Sequence, residues 1–215
     1  MGFSQDLLDT HASSWRALTG HQFFREVEAG SLPESSRDAY FVYERAFVDQ
    51  AVVVFSHLLA GAPDLQARRK IVSILNGLVH DQVDIFDEIF ARCRLESRSP
   101  EKGRWPGPVQ ALCDGMTDIA RTEDYAAGLA AVFVAERSYL DVSRRIGRAD
   151  ITDAALHKWF QLHTQQPFVD GVEWLAREID KAGEQGVALD RLASTFGRAI
   201  ELEIDFHRAP LDVGE

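Results

Sequence analysis

Apolar side chains recur at intervals of three and four residues along most of this 215-residue chain. One apolar face passes through Tyr40, Phe47 and Leu58, and another follows residues 64–93. Such spacing is typical of amphipathic helices, whereas the alternating runs and hairpin dipeptides of β-sheets are nearly absent. The pattern predicts an all-α protein of seven or eight helices. Because strict heptads are missing, we expect a compact multi-helix bundle rather than a coiled coil.

Proline and glycine mark the predicted ends of these helices. Residues 97–108 hold three prolines and two glycines and predict an irregular loop. Further on, Asp150 or Thr152 is a candidate cap for a helix that runs to about residue 166, where Pro167 interrupts or kinks it. The apolar faces on either side of the loop look incomplete alone, so we expect a single helical domain over residues 1–215.

Composition and charge narrow the classes of partner. The chain has 23 Lys and Arg against 34 Asp and Glu, a net charge of −11, which argues against nucleic acid and against anionic membrane surfaces. The most apolar run, residues 51–60, is far shorter than the ~20 residues of a spanning helix, and no basic-then-apolar signal segment opens the chain. Two cysteines, Cys93 and Cys113, form no disulfide framework, which favours a cytoplasmic location.

Two glutamates interrupt otherwise apolar helical stretches. Glu44 lies among the aromatic residues of segment 40–47, and Glu136 follows the apolar run 129–135. Tyr139 shares the helix face of Glu136, because residues three apart are neighbours on a helix. Inward polar groups on facing helices are how bundles build their sites. Pairing of each glutamate with a nearby arginine at the surface is the simpler alternative.

Two segments that contain a histidine give a weaker signal of a functional site. Glu203 and His207 stand four residues apart, so they project from one helix face and could serve as a general acid/base or bind metal. A histidine near the negative end of a helix is equally explained by the helix dipole. His163 follows Trp159 by one turn, where a histidine is more often a core or rim group.

Taken in order, these residues resemble the TenA/thiaminase-II family, whose members have the haem-oxygenase-like helical fold. The resemblance extends from about Trp15 to His207. Residues 21–33 resemble the family's opening, in which HPF precedes G-x-LP. Three further segments are similar to its motifs: YFVYERAF at 40–47 to Y-x-x-Q-D-x-x-Y, WFQLH at 159–163 to W-I-x-x-Y, and EIDFH at 203–207 to E-Y-x-F-W.

The resemblance implies a site for a small heterocycle. In that family the acidic residue of the first motif contacts the substrate's aminopyrimidine, and Glu44 takes that place here. Glu203 matches the family's acid/base carboxylate. The implied substrate-binding residues are Tyr43, Glu44, Phe47, Ala135, Tyr139 and His163, and the candidate catalytic residues are Glu203 and Glu136.

Ala135 is a departure from the family pattern. It stands one turn before Tyr139, where the family carries its nucleophilic cysteine, and neither Cys93 nor Cys113 falls at that position. We therefore expect Glu203 or Glu136 to activate water directly, since a carboxylate buried beside another has a raised pKa that suits a base. The resemblance implies a thiaminase-II-type hydrolase of thiamin metabolism, acting on an aminopyrimidine or similar heterocycle, with no cofactor.

Two other functions fit the same residues. The chain could be a binding protein that keeps the heterocycle pocket without catalysis, or a metal-dependent haem-oxygenase-like oxidase. Inward carboxylates and histidines on facing helices can hold two metals, but clean Glu-x-x-His pairs are absent from the sequence, and we assign no metal ligands. By analogy with the family we expect a homo-oligomer. In the oxidase alternative, the metal ligands would be drawn from Glu44, His80, Asp84, Glu136, His163, Glu203 and His207.

Overall fold

The computed structural model describes residues 2–95, 105–149 and 151–213. Within these ranges all regular secondary structure is helical, which confirms the all-α prediction. The described helices are α1 (Phe3–Thr10), α2 (Ala12–Thr19), α3 (Gln22–Ala29), α4 (Glu34–Gly61), α5 (Leu65–Asn76), a π-helical segment (Gly77–Gln82), α6 (Val83–Cys93), α7 (Gly107–Thr122), α8 (Tyr125–Ile146), α9 (Ala154–Leu162), α10 (Gln166–Glu184) and α11 (Leu189–Arg208).

Helix α8 forms the centre of the molecule. Its first half, AAGLAAVFVA, is apolar on every side, which is typical of a helix enclosed by others. It packs against α11, α10 and α7, and also against α4 and α9. At Gly128 an added Cβ would come within 2.5 Å of Leu58 Cδ2, so glycine lets α4 approach closely. Helix α8 thereby presents side chains to α4, α9 and α11 at once.

The predicted long helix over residues 64–93 contains a π-helical segment, Gly77–Gln82, between α5 and α6. A π segment widens the helix by one residue per turn and often occurs at functional sites. Leu78 is buried at this point, whereas Val79 and His80 are exposed. The segment therefore turns Leu78 and Gln82 toward the interior of the bundle.

Helix α9 begins and ends differently from the prediction. Asp153 is its N-cap, because the carboxylate accepts hydrogen bonds from the backbone N–H groups of Ala155 and Leu156. Thr152 makes no cap, and Asp150 lies outside the described residues. The helix ends at Leu162, and Pro167 falls in the first turn of α10, where its missing N–H costs nothing.

The predicted loop at residues 97–108 lies largely outside the described residues. Only its last part is described, and α7 already begins at Gly107. Helices from the two sides of this segment pack directly on each other, as α4 does on α7. None of the described helices combines the length and apolarity needed to cross a membrane.

Replacing Asp153 by alanine should lower the free energy of unfolding by about 1–2 kcal/mol, because the variant loses the cap of α9. It also loses the 2.9 Å ion pair with Arg37. Burial raises the pKa of Asp153, but the Leu156 N–H and the Arg37 guanidinium together lower it by more, so the net shift is downward. The stabilisation is therefore present above the unfolded-state pKa and is lost as pH falls through the folded-state pKa.

Thermal denaturation at several pH values would measure this effect, with a loss of roughly 2–4 °C in Tm per kcal/mol for a chain of this size. Thr152→Ala, at the adjacent exposed position, is the matched control. An equal effect of the two substitutions would contradict the capping role of Asp153.

Candidate active site

The side chains of Glu44 and Tyr139 meet in the interior, from α4 and α8. The Tyr139 hydroxyl donates a hydrogen bond to Glu44 Oε2 at 2.8 Å. Glu44 is only 3% exposed, so this contact is enclosed by protein. The alternative of a surface pair with Arg45 does not hold, because Arg45 instead lies 3.3 Å from Asp87.

Two more aromatic side chains extend this interaction. The Trp159 indole N–H lies 2.8 Å from the Tyr40 hydroxyl, which lies 2.9 Å from the Tyr139 hydroxyl. An indole nitrogen can only donate, and Tyr139 uses its one proton on Glu44, so Tyr40 donates to Tyr139. The hydrogen bonds thus run in one direction, from Trp159 through both tyrosines to the carboxyl of Glu44.

Glu203 and His207 lie behind this group on α11. Their exposed fractions are 1% and 0%. The His207 Nδ1–H donates to the backbone carbonyl of Glu203 at 2.8 Å, which leaves Nε2 facing the Tyr139 hydroxyl at 3.5 Å. Among the described residues, Glu203 Oε1 has no hydrogen-bond partner. A buried carboxyl oxygen without a partner usually marks a functional site or a bound water.

A small cavity, here called the inner chamber, lies beside Glu44 and Tyr139. Its volume of about 30 Å³ is enough for a water molecule or two, since one water needs ~10–15 Å³ by this measure. Helices α4, α8 and α10, the π segment and the end of α9 form its walls. It is lined by Glu44, Phe47, Val48, Ala51, Leu78, Gln82, Ala135, Glu136, Tyr139, His163 and Phe168.

A second cavity of about 210 Å³, here called the outer vestibule, adjoins the inner chamber. The two cavities share walls made by Leu78, Gln82, Glu136 and Phe168. A six-membered heterocycle is larger than the inner chamber, so its ring must displace one of the shared side chains. The other vestibule residues are Lys70, Ser73, Ile74, Asn76, Gly77, Asp81, Leu162, Gln165, Pro167, Gly171 and Leu175.

Burial raises the pKa of all three glutamates. The pKa of Glu44 rises from 4.5 to about 8, with the Tyr139 hydrogen bond opposing the shift and the charge of Glu136 adding to it. Burial raises the pKa of Glu136 to about 7, although part of that side chain stays open to the cavities. The pKa of Glu203 rises well above its usual value through burial and through the charges of Glu44 and Glu136. Near neutral pH, Glu136 is thus the carboxyl poised to lose or gain a proton.

The two interior histidines are neutral. Burial lowers the pKa of His163 to about 4 and that of His207 to about 3. His163 is a hydrogen-bonded core residue, as the simpler interpretation held, yet it also lines the inner chamber. His207 is fully buried and its ring packs on Phe24 at 4.5 Å between centroids.

The structure brings most of the candidate residues together. Phe47 and Ala135 line the inner chamber beside the polar residues already named. Tyr43 lies apart from them, half-buried, with its ring edge-on to Trp105 at 6.5 Å. The substrate-binding set implied by the sequence is therefore gathered around one cavity except for Tyr43.

Sequence reasoning gave no role to three residues that complete the site. Tyr40 was counted as part of an apolar face, and Trp159 as a neighbour of His163. Gln82 carried no signal, because it is a single polar, uncharged residue on an otherwise apolar helix face. One clue was available for Tyr40, which stands four residues, or about one turn, before Glu44 on the same helix face.

Two of the residues suggested as metal ligands lie apart from the others. His80 and Asp84 are exposed on the outer face of the π segment and α6, as a solvated stripe would be. In the described part of the chain no three His, Cys, Asp or Glu side chains are spaced to hold a metal ion.

Replacing Glu44 by glutamine should raise Tm relative to the unmodified chain, and the gain should grow between about pH 5 and pH 8. In this window the folded chain keeps a proton on Glu44 that the unfolded chain has lost, so rising pH destabilises the fold. Glutamine keeps the acceptor for Tyr139 and cannot ionise. Thermal denaturation across this range tests it, with Glu201→Gln on an exposed side chain as control; parallel Tm profiles for all three proteins would contradict the prediction.

Comparison with known proteins gives the same fold. A TenA homologue from P. horikoshii OT3 superposes with a TM-score of 0.87 at 17% identity over 98% of each chain. A TenA family transcription regulator from Silicibacter sp. TM1040 gives 0.84 at 19%, covering 97% of this chain and 96% of that one. A protein described as a TenA-like thiaminase from Sulfolobus solfataricus P2 gives 0.84 at 17%, over 98% and 96%. The fold is thus the haem-oxygenase-like helical bundle of TenA proteins.

Sequence comparison adds the family. No curated protein matches the chain. The profile of the TENA/THI-4/PQQC family matches residues 8–212, which is nearly the whole length. The match includes every residue of the inner chamber. This chain is therefore a member of the TENA/THI-4/PQQC family.

Proposed function

We propose that this protein binds a thiamin-related aminopyrimidine, or a similar small heterocycle, and hydrolyses it with water activated by a carboxylate. The observation that carries the proposal is the enclosed group of Glu44, Glu136 and Tyr139 around one water-sized chamber. Family membership and the likeness to a TenA-like thiaminase support the choice of substrate class.

Glu44 and Tyr139 are suited to hold the ring. With a pKa of about 8, Glu44 is mostly protonated at neutral pH. Its Oε2 accepts from Tyr139, so its own proton is available to a ring nitrogen of the substrate. The chain of hydrogen bonds from Trp159 through Tyr40 keeps both groups in place. Such preorganised donors are worth more in an enclosed site than in water.

Glu136 is suited to activate water. A base works best when its pKa lies near the working pH, and burial gives Glu136 a pKa of about 7. It lies at the boundary of the inner chamber and the outer vestibule, beside space for a water molecule. Ala135, next to it, has no nucleophilic atom. The attacking group is therefore water rather than a side chain.

Glu203 is suited to be the acid. Burial and the charges of Glu44 and Glu136 raise its pKa well above the usual value, which favours the protonated form, and its Oε1 has no protein partner in the described chain. In the proposed step, the water oxygen bonds to the substrate carbon and Glu136 takes the water proton. The carbon–nitrogen bond breaks and its electrons go to the nitrogen. A nitrogen that leaves as an amine takes its proton from Glu203, whereas a thiazolium nitrogen, as in thiamin, leaves neutral and takes none.

The pH dependence should report Glu136. We expect kcat/KM to rise with pH through about 7, because only the ionised carboxylate of Glu136 accepts the water proton. It should fall again above about pH 8, where Glu44 loses the proton that it donates to the ring. Glu136→Gln should remove this rise together with about 10²–10⁴-fold of the rate. Steady-state kinetics between pH 5 and 9 would measure it, and a profile that still rose through about pH 7 in Glu136→Gln would contradict the role of Glu136.

Incubation with thiamin and with 4-amino-5-hydroxymethyl-2-methylpyrimidine derivatives tests the function itself. Calorimetry measures binding, and chromatography measures products. Turnover would support the hydrolase. Binding without turnover would favour the second candidate, a non-catalytic binding protein, for which the absence of a thiol at Ala135 is the specific argument. If the protein neither binds nor cleaves these compounds, the proposal is overturned.

A further inference from the structure

The orientation of the His163 ring is fixed by one hydrogen bond. Its Nδ1 lies 2.8 Å from the backbone carbonyl oxygen of Trp159, one turn earlier. A carbonyl oxygen only accepts, so Nδ1 must carry the proton. Ring contacts hold the imidazole from the other sides, with Tyr139 at 4.9 Å and Phe168 at 4.7 Å between centroids.

The other ring nitrogen, Nε2, is left as a bare acceptor. A neutral imidazole has one N–H, and burial lowers the pKa of His163 to about 4, so the ring stays neutral at physiological pH. No group of the described chain donates to Nε2, and the nearby Tyr139 hydroxyl already donates to Glu44. His163 is 4% exposed and lines the inner chamber, so a ligand there can supply the missing donor.

We infer that His163 determines ligand specificity by accepting a hydrogen bond at Nε2 from an N–H or O–H group of the bound heterocycle. This inference rests on the proposed function and refines its substrate class. A ligand with an alkyl group at that point leaves Nε2 desolvated and without a partner. Sites built to pair with a polar group reject analogues that lack it, because the unpaired group has lost its water.

The protonated carboxyl of Glu44 complements this acceptor. The chamber then offers one donor, from Glu44, and one acceptor, from His163, and both residues line it together with Tyr139. A heterocycle with both a ring nitrogen and an N–H or O–H donor satisfies the two together. A ring that carries acceptors alone satisfies Glu44 and leaves His163 unpaired.

Calorimetry with three matched probes tests the inference. The probes are 4-amino-5-hydroxymethyl-2-methylpyrimidine, the analogue with methyl in place of the amino group, and the analogue with ethyl in place of hydroxymethyl. We expect the unmodified protein to bind one of the two analogues roughly tenfold to a hundredfold more weakly than the parent. His163→Phe should abolish that preference. His157→Phe, on the exposed face of α9, which ends just before His163, should keep it.

Two further measurements guard against a misfolded variant. His163→Tyr introduces a hydroxyl that both donates and accepts, so this variant should bind the parent probe and show a reduced preference. Nitrogen NMR of the unmodified protein should show Nε2 unprotonated at pH 7 and perturbed by the parent probe.

The outcomes separate the two proposals. An unchanged preference in His163→Phe, or a proton on Nε2 in the free protein, would overturn the inference and leave the proposed function standing. Failure of the unmodified protein to bind any of the three probes would overturn both.

Discussion

Replacing Glu203 by glutamine should lower kcat by about 10²–10⁴-fold while leaving the fold intact. Glutamine has nearly the shape of the protonated carboxyl, which is the form that the raised pKa of Glu203 favours. The substitution therefore removes a transferable proton without removing a charge. Because Glu203 lies behind the inner chamber, we expect KM to change far less than kcat.

Kinetics on an aminopyrimidine from which the unmodified protein releases an amine, with Tm measured on the same samples, would check this result. Glu201→Gln is the matched control, since Glu201 lies on the same helix but is exposed. A full rate in Glu203→Gln would mean that the proton reaches the leaving nitrogen from another group, and Glu44 would be the next candidate.

Replacing Ala135 by cysteine should raise hydrolysis of thiamin by at least about tenfold, which corresponds to ~1.4 kcal/mol of barrier. Ala135 lines the inner chamber beside Glu136, so the new thiol would have a base next to it. The sulfur would bond to the substrate carbon as the carbon–nitrogen bond breaks, and water would then release the product. A thiolate is a far better nucleophile than water near neutral pH.

Alkylation identifies the source of this gain. Iodoacetamide should remove it, and Ala135→Ser should lack it. The existing cysteines should not interfere, because burial raises the pKa of Cys113 to about 12 and also raises that of Cys93. A cysteine variant that binds the pyrimidine without any gain in rate would show that position 135 is badly aligned for attack.

Much of the fold follows from local patterns that survive folding unchanged. The apolar spacing around Glu44 and Glu136 is that of an undistorted α-helix, so counting by three and four finds the buried face correctly. Glu203 was found in the same way. The convergence of these three side chains in space could not be derived from spacing, because it depends on how α4, α8 and α11 pack.

The parts that were missed have specific physical causes. Gln82 is a polar, uncharged residue four positions after Leu78 on an apolar helix face, and one such residue gives no clear sign of function. Tyr40 and Trp159 look like core aromatics, because their polar atoms pair with each other and not with water. The sequence predicted this cap at Asp150 or Thr152 instead of Asp153, because several acceptors of similar capping strength lie close together there.

The arrangement of the two cavities, one behind the other, has a kinetic consequence. A molecule cleaved where Leu78, Gln82 and Phe168 divide them would leave one fragment in the deeper space and the other in front of it. The front fragment would have to depart first. Turnover would then follow a fixed sequence of product release, and the rear fragment would compete with incoming substrate while the front one would not.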